Sequence, residues 1–197
     1  ASLFGVSPQT LKARPAPDIR FGASRLFTRF AEDIAEEGAS ALVVLLTRSA
    51  LQLDPAHDRA RLLLAAALSE LEAVDSALAA LRPIAPESRS ADLANGVRLA
   101  ILRDAGRIDT ALTLAESLAS RPEAAAGDFQ RYGDLLTESG AHGAAAAQYA
   151  RAMAHMPDEE SWILNLQRGG ALEQAGRWEE ALPFLQRAVA LAPEQPV

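Results

Sequence analysis

The stretch Arg168-Gly-Gly-Ala-Leu-Glu-Gln-Ala-Gly-Arg-Trp-Glu-Glu-Ala-Leu-Pro-Phe-Leu-Gln-Arg-Ala-Val-Ala-Leu-Ala-Pro193 decides the fold. It reads as two short helices hinged at Gly176, with small and apolar residues at helical spacing on either side and a proline closing the second. Upstream of Gly176 lie Gly140, 36 residues away, and then Gly106, Glu72 and Gly38 at intervals of 34. Five residues after each comes Val43, Ala77, Ala111, Ala145 or Ala181; four before come Ile34, Leu68, Leu102, Leu136 and Leu172. Seven before are Ala31, Ala65, Leu99, Gly133 and Gly169, and twelve after are Ala50, Ile84, Leu118, Ala152 and Ala188. Columns that hold their register through five units define a repeat, and a repeat of this length defines a solenoid.

Each unit reads as a pair of helices. In the fourth, Phe129, Tyr132 and Leu136 form one apolar stripe, Gly140 ends the helix, and Ala145, Tyr149 and Ala152 form the next stripe before Pro157. Glycine reaches the left-handed conformation at a helix end cheaply, and proline cannot continue a helix. Pro55, Pro122 and Pro193 punctuate the other units, while Pro83 and Pro86 come early and predict a short second helix in unit two. One such pair cannot bury both its faces, so stacking supplies the core. The expected fold class is all-α, a right-handed α-solenoid of about five helix-turn-helix units over 21–197, at approximately 24–57, 58–91, 92–125, 126–159 and 162–195. Residues 1–20, with Pro8, Pro15 and Pro17, fall outside the period and read as an irregular leader.

These columns resemble the tetratricopeptide repeat. Unit five is a close match and unit four nearly as good, whereas Glu72 replaces glycine, Leu99 a small residue and Val43 alanine in the earlier units. Ala50-Leu-Gln-Leu-Asp-Pro-Ala-His-Asp and unit five are also similar to longer alphaproteobacterial repeat proteins. That likeness implies an exported or cell-envelope setting. The chain stops just after the fifth second helix with no polar capping helix, which points to a piece of something longer or to self-capping through a homo-oligomer.

Composition sets limits. Half the chain is hydrophobic (49%) but only 5% aromatic, so the core is built from close contacts of small side chains rather than from a few large ones. The net charge of −7 is uneven: residues 1–20 sum to +2, leaving −9 elsewhere, and Lys12 is the only lysine. An acidic body argues against nucleic acid and anionic membrane surfaces as partners. The absence of cysteine removes disulfides, thiolate nucleophiles and cysteine metal sites. No apolar run is long enough for direct membrane insertion.

No catalytic set emerges. His57, His142 and His155 sit at connections in three different units, and Asp54, His57 and Asp58 are poor spacing for a metal. No cofactor is expected; Gly169-Gly170 lies within a helix, away from any lysine. An α/α-barrel hydrolase needs longer paired helices than a 34-residue stride leaves. Trp178, beside the turn at Gly176, reads as a core wedge. The acidic run Asp158-Glu159-Glu160 reads as capping the helix that begins near Trp162.

The resemblance implies that the first helices line a concave groove that takes a protein or peptide, as in an interaction scaffold or adaptor. The expected lining is Glu32 in unit one, then Arg59, Leu62 and Glu70 in unit two, and Leu93, Arg103 and Asp104 in unit three. Unit four adds Gln130, Asp134 and Glu138, and unit five adds Trp162, Ile163, Leu166 and Glu173. The chaperone-binding subset of that family grips a peptide carboxyl-terminus with lysines, asparagines and arginine in the groove. This face has none of the lysines and no asparagine pair, so a basic or amphipathic segment fits better. Self-association through the C-terminal face is the alternative reading.

Overall fold

A computed structural model of the protein describes residues 18–156 and 160–192. Among them are ten α-helices and no strand: α1 (Ile19–Ala35), α2 (Ser40–Leu53), α3 (Asp58–Glu70), α4 (Val74–Leu81), α5 (Ala91–Asp104), α6 (Ile108–Ala119), α7 (Ala126–Glu138), α8 (His142–Ala154), α9 (Trp162–Gln174) and α10 (Trp178–Leu191). Each helix packs on the next, and α1 also touches α3, as α3 does α5. The result is a right-handed α-solenoid of five helix-turn-helix units. As Pro83 and Pro86 predict, α4 is the shortest helix, at 8 residues. The first helix starts earlier than expected. Asp18 caps it by accepting from the Phe21 N–H at 2.8 Å, so Ile19 and Arg20, assigned to the leader by their aperiodicity, are helical. The rest of the leader lies outside the described residues.

The turn column has one conformation. Gly38, Gly106, Gly140 and Gly176 all have φ between 70° and 80°, and Glu72 joins them at 58°. In units two to five the residue after the turn donates to the carbonyl five residues back (Ala73 to Leu68, Arg107 to Leu102, Ala141 to Leu136, Arg177 to Leu172). The turn residue itself donates to Ser69, Arg103, Thr137 or Glu173. This Schellman arrangement satisfies carbonyls that a helix end leaves without partners.

Inside each unit the two helices meet at small residues. Val43, Ala77, Ala111, Ala145 and Ala181 are all buried, as are Ala31, Ala65, Leu99, Gly133 and Gly169. A Cβ added to Gly133 would stand 2.7 Å from Cε1 of Tyr149, and one on Gly169 2.7 Å from Cδ2 of Leu185. Glycine there is a packing requirement. Tyr149 and Leu185 belong to a further column, nine residues after the turn, that also holds Thr47, Leu81 and Ala115. Unit three reverses the sizes: Leu99 on α5 shares a buried cluster with the small Ala115 on α6.

Candidate functional site: the row of first helices

The odd-numbered helices form a row joined by polar contacts. Between α1 and α3, Arg59 donates to Glu32. Between α5 and α7, Arg131 reaches Asp92 at 2.5 Å and Arg103 lies 3.9 Å from Glu138. Between α7 and α9, Gln130 donates to Gln167 at 2.9 Å and Gln167 donates to Asp134 at 2.8 Å. Because residues three, four or seven apart on a helix share one face, and the repeat stride places the same positions on each successive first helix, their side chains meet across the row.

Leu93 and Ile163 are exposed on this row, and Leu62, Leu166 and Trp162 are half-buried. Glu173 is exposed, as is Asp104, which pairs with its neighbour Arg103 at 3.0 Å. Glu70 instead accepts from Ser40 at the start of α2, so it serves the turn of unit one. Arg103, Asp134, Glu138 and Leu166 converge on one open cleft of about 590 Å³, completed by Thr137, Tyr149, Gln167, Gly170, Ala171 and Gln174. Arg59, Leu62, Leu93, Gln130 and Ile163 are spread along the row outside it.

Asp134 is the most constrained group of the cleft. The Tyr149 hydroxyl and the Gln167 amide both donate to its Oδ1, each at 2.8 Å. Burial, opposed in part by the Tyr149 hydrogen bond and reinforced by Glu138, raises its pKa above the usual 3.8. A raised carboxyl pKa means that the folded state holds the proton more tightly. Its ionised form therefore costs stability, and that cost grows as pH rises from 3.8 through the folded pKa and is complete above it. Sequence reasoning placed Asp134 on the groove but missed Tyr149 and Gln167 as its supports; Tyr149 reads as a plain core position by periodicity.

The histidines have other work. Nδ1 of His57 lies 2.9 Å from Ser24 Oγ and 3.2 Å from Thr28 Oγ1, joining the second unit to α1. A serine beside a histidine suggests nucleophilic chemistry, but Ser24 is 0% exposed and no substrate reaches it. Burial, with Arg25 nearby, lowers the His57 pKa below 6.5, so the stability this joint contributes is full above pH 6.5 and is lost as pH falls through the folded pKa. His155 packs on the Phe129 ring, with centroids 4.8 Å apart. Among the described residues no three histidines or carboxylates gather as metal ligands, and no helix is long and apolar enough to cross a membrane.

Two expectations near unit five are corrected. Trp178 is 53% exposed rather than wedged into the core: it is the first residue of α10, whose buried positions are the small Ala181 and Ala188. The cap of α9 is Ser161, which accepts from the Leu164 N–H, while Glu160 turns away to pair with Arg187. Asp158 and Glu159 lie outside the described residues.

Left-handed turns, small-residue junctions and a row of first helices together define a helical repeat solenoid of the tetratricopeptide type. No family model matches the chain, and no curated protein matches it by sequence. Solved structures do match in fold, among them several of MamA. A crystal structure of MamA is 14% identical with a TM-score of 0.63, covering 89% of this chain and 97% of that one. MamA from Desulfovibrio magneticus RS-1 is 13% identical with a TM-score of 0.65, covering 92% and 100%. Another MamA structure reaches 22% identity with a TM-score of 0.59, covering 88% and 94%. Likeness at this identity establishes the solenoid. It lends no support to the resemblance to envelope proteins.

Proposed function

We propose that the chain is a non-catalytic scaffold that binds a segment of another protein along its row of first helices. The observation that carries this is the open cleft across units three to five, which combines an apolar wall at Leu166 and Ala171 with the carboxylates of Asp134 and Glu138. With a body net charge of −9, such a surface steers and selects a basic or amphipathic segment. The test is capture of interacting proteins by the parent and by a Glu138→Lys, Glu173→Lys variant. Both positions are exposed, so melting should be unchanged while captured protein falls severalfold. Failure of the parent to retain any protein, or equal retention by the variant, overturns the reading.

A second reading is association of copies through α10. Leu182 and Val189 are 39% and 46% exposed, yet Ala146, the counterpart of Leu182 one unit earlier, is buried at the junction of α8 with α9. Light scattering at high protein concentration decides it, since a strictly monomeric species removes this reading.

A further inference from the structure

We infer that the cleft between α7 and α9 receives an arginine side chain of the bound segment, its guanidinium held by the carboxylates of Asp134 and Glu138. This deepens the scaffold reading and depends on it for the identity of the donor. Asp134 supplies the first argument. Both of its internal donors, Tyr149 and Gln167, reach Oδ1, and among the described residues none reaches Oδ2. The carboxylate is thus fixed in orientation with one oxygen uncommitted. Half-buried anions are normally compensated by a paired cation, yet among the described residues no cation lies within ion-pair distance of Asp134, and Arg103 and Arg131 act on it only from farther off.

The second argument is shape. Glu138 stands one helical turn beyond Asp134, where i and i+4 side chains lie on one face about 5–6 Å apart at Cβ. A planar guanidinium spans such a pair with its fork of donors, as the point charge of an ammonium does not. Leu166 and Ala171 offer apolar wall to an aliphatic stem, and Gly170 lines the cleft without a side chain. No atom comes within 4 Å of a Cβ built on Gly170, so this opening is not forced by packing. The one resident cation, Arg103, approaches Glu138 only to 3.9 Å with both side chains nearly half exposed. An exposed pair at that distance is weak enough for an incoming guanidinium to displace.

The experiment is an amide-resolved NMR titration of the whole chain with N-acetyl-arginine amide, N-acetyl-lysine amide and N-acetyl-citrulline amide, the last matching arginine in shape without its charge. Arginine should shift the Thr137, Gly170 and Gln174 amides saturably. Lysine should bind more weakly, and citrulline about tenfold more weakly or not at all. Asp134→Asn keeps an acceptor for Tyr149 and Gln167 and removes the charge, so it should abolish the shifts while melting at or above the parent at neutral pH. Gly170→Leu should fill the cleft and abolish them without loss of stability, since leucine is the better helix former. Absent shifts, equal shifts with citrulline, or shifts that persist in either variant overturn the proposal. Protein capture by the parent and Asp134→Asn, run in parallel, separates the two readings. Equal capture by both discards the arginine site and leaves the scaffold, whereas no capture by the parent discards the scaffold while the titration still decides the cleft.

Discussion

Units four and five carry glycine at both the packing position and the turn, whereas unit three keeps only the turn glycine and unit two has neither. All four nevertheless fold alike. At the packing position the quantity that is held is the combined size of a facing pair: Gly133 with Tyr149, Gly169 with Leu185, Ala65 with Leu81, and, reversed, Leu99 with Ala115. At the turn the quantity held is a dihedral angle, and Glu72 adopts φ 58° where its neighbours use glycine. A repeat consensus therefore records the cheapest solution to a geometric demand rather than the demand itself.

The sharpest way to break this comparison is at unit three. Leu99→Ala should cost about 2–5 kcal/mol, because it removes the only large member of its pair. Ala115→Leu alone should cost about 1–3 kcal/mol through overpacking. Combined, they restore the order of unit two, and denaturant melts should show a loss smaller than the sum by at least about 1 kcal/mol. Additive losses would mean that the two side chains do not share one space. In unit four, Gly133→Ala should cost about 1–3 kcal/mol, since the new methyl meets a Tyr149 ring fixed by its bond to Asp134. A thermal melt indistinguishable from the parent would place the helices farther apart than described. The smallest effect belongs to the turns. Gly140→Glu should cost about 1–2 kcal/mol, and Glu72→Gly should gain up to about 1 kcal/mol, a strained angle being relieved at the expense of a freer unfolded chain.

Most of the architecture was legible because small residues at fixed stride have one dominant explanation. The columns of Ala145 and Leu136 place the helices and the core by spacing alone. What escaped is what depends on pairs far apart in the chain. Nothing local to Leu99 announces that Ala115 makes room for it. The bond from Ser24 to His57 spans 33 residues, and the tie of Gln167 to Asp134 also spans 33, so periodicity assigns each residue a face without a partner. Trp178 misled for the opposite reason: an aromatic beside a turn suggests a wedge, but α10 makes its buried contacts through the small Ala181 and Ala188 and leaves the ring at its start exposed. The cleft was half legible, with Asp134, Glu138, Arg103 and Leu166 placed by register and their convergence visible only in three dimensions.

The reversed pair in unit three bears on how the chain avoids misfolding. Tandem repeats are prone to slip, a helix of one unit docking where the next should lie, because neighbouring surfaces look alike. Here α5 set against α8 would force Leu99 into Tyr149, and α7 set against α6 would leave a void between Gly133 and Ala115. Exchange of partners between these adjacent units is penalised in both directions, so one inverted couple acts as a key that matches α5 to α6.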